Sequence, residues 1–340
     1  MMDLEYFLEN YSMTGFHPYV VVNDNTGVNV EVNEADYEIW DVKSKKGREY
    51  IKKYNTQKNT FKEYTGYVIV VKKGASVPIQ TCFLTSQKGF VQNVQNLIVL
   101  EDDCEAEIFT GCLSNSHVND NEHNAVVDMF VGKNSKLTFN MVHSWGKTSL
   151  VFPKTKVYVD EGGVFLSNYI VWDKVKTIVM NPKIYLKDNA KAVSKALIYS
   201  HEGSDFDIGG TIELKGKGSS GEIISSIVSK GGKYINHSEI VGEGVNTKGH
   251  VECNALLVDG GYVEAIPVLR ALNSETELTH EASVGKISKD EVEYFQTKGL
   301  NKDIAKELIV KGFVNSSLKN MPDEVSKKMK DIIDGVKNGF

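Results

Sequence analysis

The chain repeats itself, and that repetition limits its possible folds more than any other feature. An apolar pair-step followed by a short turn of Gly, Asn, Asp or Lys recurs as "IVLEDDCEAEI", "MFVGKNSKLTF", "VYVDEGGVFLS", "IYLKDNAKAVS" and "IELKGKGSSGE". Counted from the last apolar residue before each turn (Leu100, Val131, Val159, Leu186 and Leu214), the steps are 31, 28, 27 and 28 residues. "IVSKGGKYI" and "LLVDGGYVE" continue the theme less regularly. One strand-turn cassette per repeat at this period points to a solenoid or a propeller. Propeller blades need about 40 residues, so a β-solenoid with two or more strands per coil fits better. No coil can bury its own inner face, and stacking on its neighbours supplies the core. A β-sandwich with coincidental hairpin spacing is the alternative, but sandwiches rarely hold so long and regular a period.

From Tyr67 to Val268 the pattern is strand-like almost throughout, with alternation in "YVIVV", "NLIVL", "KVYV", "KIYL", "TIEL" and "NALLV". Pro78, Pro153, Pro182 and Pro267 are the prolines of that span. Three parts are expected: a mixed N-terminal cap (1–62), a β-helix core (63–285) and a C-terminal helical domain (286–340). After Gly285 the apolar period becomes 3.6. Ser288 and Glu291 form a capping box for one helix, which Gly299 ends. Asn301 caps a second, "KDIAKELIVK", expected to stop at Gly312. Pro322 opens a third, with Val325, Met329, Ile332, Ile333 and Val336 on one stripe. This module is expected to cover the end coil, to dock a partner, or to do both.

Composition narrows the function. The net charge of −6 argues against a general nucleic-acid binder. No apolar run is long enough to cross a bilayer, and "MMDLEYFLENYS" lacks the regions of a signal peptide. A cytoplasmic location is therefore expected. Cys82, Cys104, Cys112 and Cys253 are widely spaced with no CxxC pair, which excludes a zinc ribbon or a thioredoxin motif. There is no GxxxxGK[ST] phosphate loop, so any ATP dependence belongs to a partner.

Several segments resemble the SufB/SufD family. "HEASVGKISKDEVEYFQTKGLNKDIAKELIVKGFV" is similar to the family's C-terminal signature, a His-containing run leading into two short helices that end in "GF". "FTGC" at Phe109–Cys112, "EHNAVVDMFVGKNSKLTFNMVHSW" and "HVECNALLVDGGYVEAIPVL" resemble its core segments; the match spans about residues 95–315. The resemblance implies an all-β core, a right-handed parallel β-helix with a helical C-terminal domain. It also implies a scaffold, not an enzyme, on which iron–sulfur clusters are assembled for apo iron–sulfur proteins. Family members pair through their β-helices, and their helical tails dock a SufC-like ABC ATPase. A homodimer or a SufB/SufD-type heterodimer is expected here.

The resemblance also assigns residues. His280 and Glu281 match the His-Glu pair of B-type members. Adjacent strand residues face opposite sides, so both reach one site only where the strand ends, twists or bulges. Cys253 is the preferred thiolate ligand, weighed against plain packing in the core. Cys112 matches a cysteine linked in B-type members to receiving sulfur. The sequence departs from the B-type pattern before Pro267: Gly261 stands where those members carry a cysteine, and Glu264 occupies the histidine position. The candidate metal ligands are therefore Cys253, Glu264, His280 and Glu281, with Cys112 as a sulfur acceptor and a transient iron–sulfur cluster as cargo. His123 and His143 are further candidates, although single strand histidines are more often satisfied core or surface residues. Two other functions stay open: a SufD-like structural subunit without ligands, and a β-helix carbohydrate-active enzyme. The latter needs paired carboxylates, and the pairs present, Asp102–Asp103 and Asp160–Glu161, sit in turns.

Overall fold

The computed structural model describes residues 19–28, 32–114, 119–318 and 327. Its strands in chain order are β1 (Tyr19–Asn23), β2 (Thr26–Val28), β3 (Val32–Asn33), β4 (Tyr37–Asp41), β5 (Tyr67–Val71), β6 (Ser76–Thr85), β7 (Val91–Leu100), β8 (Glu105–Ser114), β9 (Glu122–Val131), β10 (Lys136–Ser144), β11 (Leu150–Val159), β12 (Val164–Val171), β13 (Thr177–Met180), β14 (Lys183–Leu186), β15 (Lys191–His201), β16 (Asp205–Ile208), β17 (Gly210–Leu214), β18 (Ser220–Lys230), β19 (Lys233–Gly242), β20 (Lys248–Val258), β21 (Tyr262–Ala271) and β22 (Glu277–Lys286). The helices are α1 (Lys45–Lys53), α2 (Lys289–Thr297) and α3 (Lys302–Leu318).

From β5 onward the chain alternates between two sheets. Sheet A is ordered β2-β1-β6-β8-β10-β12-β15-β18-β20-β22; sheet B runs from β3, β4 and β5 through β7, β9 and β11 to β19 and β21. Each coil lays one rung in sheet B and the next in sheet A, giving a parallel β-solenoid of about seven turns. The solenoid expected from the repeat is the observed architecture. Rungs stack residue on residue, so that His143 of β10 lies between Cys112 of β8 and Val171 of β12. Alternate residues of every rung fill one continuous apolar core.

The turn from sheet B to sheet A explains the period. Asp103, Asn134, Gly162, Asn189, Gly218 and Asn246 all adopt positive φ at this corner. Gly, Asn and Asp tolerate that region best. The corners also bond to one another along the stack: Asn134 N–H donates to the Glu161 carbonyl at 3.1 Å, Gly162 to Asp188 at 2.9 Å, and Asn189 to Lys217 at 2.8 Å. A longer or shorter coil would break this chain of bonds.

The two ends differ. At the first, β4 pairs antiparallel with β5 and β1 pairs parallel with β6, so both sheet edges are covered. At the last, β21 and β22 each pair on one side only among the described residues. Among the described residues, the helical module does not cover this end. Val310, Val314 and Leu318 of α3 are buried in a cluster with Trp172, Leu197, Tyr199, Val228 and Val258, on the outer face of sheet A. For the described helices the end-capping alternative is therefore corrected: an apolar outer stripe on sheet A recruits α3 to the flank. Gly299 (φ 88°) follows α2, whose Ser288–Glu291 capping box is formed. Asn301 Oδ1 accepts from Ile304 N at 2.8 Å, as expected of a cap. Gly312 does not stop α3, because Val314 and Leu318 continue the buried stripe one and two turns beyond Val310. A helical glycine costs about 1 kcal/mol, less than two buried aliphatic side chains return. The helix expected from Pro322 lies outside the described residues, apart from position 327.

The segment after α1 crosses the outer face of sheet B. Gln57 N donates to Asp128 Oδ2 at 3.0 Å, while Asp128 Oδ1 is buried without a partner. Burial raises the Asp128 pKa. The protonated carboxyl is favoured in the fold, and that contribution is lost as pH rises through the folded pKa. Asp128→Asn is expected to raise stability at pH 7 by about 1 kcal/mol. In urea denaturation the gain should shrink at pH 5; a gain independent of pH would contradict the assignment.

Candidate functional site

The last rung separates residues that are adjacent in sequence. Val251 pairs with His280, Glu252 with Glu281, and Cys253 with Ala282. Val251, Cys253 and Ala255 belong to the core, so His280, Ala282 and Val284 face inward and Glu281 faces outward beside Glu252. Among the described residues no further rung covers β22, and His280 is exposed at the mouth of the solenoid. Cys253 and His280 thus share the inward face, one rung and two residues apart, with Cα atoms about 8 Å apart from strand geometry. Glu264 lies elsewhere. It sits on β21 opposite Ile235, while its neighbours Val263 and Ala265 pack on the core, so it faces outward from sheet B. The Tyr262 hydroxyl donates to Glu264 Oε2 at 3.1 Å. The structure therefore brings Cys253 and His280 together and sets Glu281 and Glu264 on two other faces.

Cys112 is five rung junctions from Cys253 in sheet A, about 24 Å along the stack. It is buried beside an internal cavity of about 80 Å³ lined also by His123, His143 and Tyr169. Tyr169 Oη and His143 Nδ1 are 2.8 Å apart, and so are His123 Nδ1 and Gln92 Oε1. Each imidazole is held within the core through its Nδ1. Burial lowers the His123 pKa to about 3 and the His143 pKa well below its usual value. The same burial pushes the Cys112 thiol far above its ordinary range and Cys253 up to about 11. Both cysteines rest as neutral thiols. The juxtaposition of Cys112 with His143 was missed in the sequence, yet it had a signal: the two are 31 residues apart, the step that separates Leu100 from Val131. Cys82 and Cys104 are buried packing residues.

Among the described residues, no three His, Cys, Asp or Glu side chains are grouped to hold a metal ion, and no helix is long and apolar enough to cross a membrane. The family model for the SUF-system FeS cluster assembly SufBD core domain matches residues 82–313, more than half of the chain. The chain belongs to the SufBD family. An iron–sulfur cluster assembly SufBD family protein of Archaeoglobus fulgidus is 36% identical over 302 residues, covering 88% of this chain and 80% of the relative. A relative of the same description from Methanothermobacter thermautotrophicus is 33% identical over 277 residues, covering 80% of this chain and 68% of its own length. One from Staphylococcus aureus is 26% identical over 276 residues, covering 79% and 59%.

Gly261 of this SufBD chain is fixed by its backbone. A Cβ there would lie 2.0 Å from the Ser229 carbonyl oxygen and 2.6 Å from Ser229 Oγ. The corresponding corner one coil earlier repeats the arrangement, with Gly232 against Ser200. The cysteine expected of B-type SufBD members has no room here, because consecutive coils approach backbone to backbone at this corner. Any thiolate contribution at this end falls to Cys253.

Proposed function

We propose that this chain is a scaffold on which iron–sulfur clusters are assembled and from which they are transferred to apo-proteins, working as a dimer with a SufC-like ABC ATPase. The observation that carries the reading is the last two rungs: a thiol and an imidazole on one inward face, beneath strands whose outer edges have no partner among the described residues. Unpaired parallel edges invite closure by a second chain about a two-fold axis, which satisfies both. A second copy or a D-type paralogue would then add ligands to Cys253 and His280, with Glu281 and Glu264 reaching the cargo from the rim. Iron binds the thiolate, so loading Cys253 releases its proton. Soft sulfur with weaker nitrogen and oxygen donors suits a cluster that must leave. Cys112 serves as the sulfur acceptor. Tyr294, Ile304 and Leu308 are exposed apolar residues on α2 and α3, a surface suited to the ATPase.

Anaerobic reconstitution with iron and sulfide in the presence of the ATPase tests the reading by visible absorption. Cys253→Ser is expected to abolish the cluster band while light scattering still reports the dimer, and Glu281→Ala to weaken it. No band from the parent chain would overturn the proposal. A second reading, a D-like structural subunit, is favoured by the closed backbone at Gly261. It predicts a normal dimer, and a cluster band only when a B-type partner is supplied, unaffected by Cys253→Ser.

A further inference from the structure

Sheet B is interrupted at one place on successive rungs. Between β11 and the next rung, Val151 pairs with Ile178, and the ladder resumes only at Lys156 with Lys183. At the following junction only the bond that Pro182 cannot give is missing, since Gly209 N–H donates to the Met180 carbonyl at 3.0 Å and Thr211 N–H to the Pro182 carbonyl at 2.8 Å; at the next, the ladder lapses at 208–209 against 236–237. The causes are local. Pro153 and Pro182 have no N–H to give the ladder. At Gly209 a Cβ would meet the His237 carbonyl oxygen at 1.8 Å, so only a glycine fits.

Inside this seam lies the cavity beside Cys112; outside lies a groove of about 660 Å³. Pro153, Thr155 and Met180 line both spaces, so a single layer of side chains divides them. Met180 is the movable member, an unbranched thioether with three rotatable bonds. We propose that the internal cavity is a binding site for a small uncharged molecule, and that the seam is its door, opened by a swing of the Met180 side chain.

The lining selects the guest. It is mostly apolar, with a thiol, two phenols, two neutral imidazoles and a few amides and hydroxyls but no charged side chain, and an ion would enter at a large desolvation cost. At about 80 Å³ it is smaller than the ~150 Å³ cavity that admits benzene, so the guest has only a few heavy atoms. Given the sulfur role proposed above for Cys112, on which this identity rests, the guest is a small neutral sulfur compound.

The intact chain can be treated with methyl methanethiosulfonate, which is small and neutral, and with its anionic 2-sulfonatoethyl analogue, with labelling read at each cysteine by mass spectrometry. Cys82 is the internal control: it is equally buried, but on the outer face of sheet A among Val21 and Leu113. The neutral reagent should label Cys112 about ten-fold faster than Cys82, because local opening precedes global unfolding, and the anionic reagent should show no such preference. Met180→Trp should slow Cys112 and leave Cys82 unchanged. Equal rates at Cys112 and Cys82, or an unaltered Cys112 rate in a folded Met180→Trp chain, overturn the proposal. If that variant does not fold, the two-reagent comparison on the unaltered chain decides. Labelling requires no cluster, so a closed seam leaves the scaffold reading standing, and a failed reconstitution leaves the seam untouched.

Discussion

Lowering the pH from 7.5 to 5 is expected to remove about 4 kcal/mol of stability through two side chains, His123 and His143. Both are almost completely buried, at 4% and 1% exposure, and each ring nitrogen seen to bond has a neutral partner. Folded His123 stays neutral until about pH 3, and His143 is held down in the same direction. In the unfolded chain both take up a proton near pH 6.5. Between those values the unfolded state binds more protons, so stability falls as pH falls, by about 1.4 kcal/mol per unit for each histidine. The loss begins near pH 6.5 and continues toward pH 3. Urea denaturation at several pH values measures it. His123→Gln and His143→Gln should each flatten the slope by about half, at some cost in packing. A double variant that keeps the parent's slope would show that these imidazoles are not buried neutral.

Restoring the B-type cysteine at Gly261 is expected to destabilise the fold instead of completing the site. With a Cβ 2.0 Å from a main-chain carbonyl, relief needs a backbone shift of an ångström or so. Gly261→Cys should cost about 3 kcal/mol or more. Gly260 provides the contrast. It has φ of +84°, but a Cβ there would meet nothing within 4 Å, so Gly260→Cys should cost only about 1 kcal/mol of backbone strain. Denaturation midpoints of the two variants settle the order. If Gly261→Cys proves the milder change, the corner is looser than its geometry implies, and a cysteine ligand would be tolerated there.

The solenoid was legible because the corner residues recur: Asn134, Asn189 and Asn246 mark positions where the backbone must turn left-handed. Helix starts were equally legible, since Ser288 and Asn301 act through bonds to residues two or three positions away. What sequence could not give was anything decided across coils. Gly312 reads as a stop until the apolar flank of sheet A supplies a partner for Val314 and Leu318. His280 and Glu281 could share one site only if the strand ended or bulged there; β22 runs on to Lys286 in continuous register, so alternation sends them to opposite faces. Glu264 lies on the other sheet altogether. The positions of Cys253 and His280 on one inward face follow from register, which no local pattern carries.

The placement of α3 has a mechanical consequence. One wall of the solenoid carries a helix laid across several coils, like a splint, while the opposite wall is creased where its ladder lapses. A rod built this way has unequal flexural stiffness. Torque applied at the helical tail would be transmitted along the braced wall and taken up as bending toward the crease, so that the two ends of the molecule pivot about its middle coils.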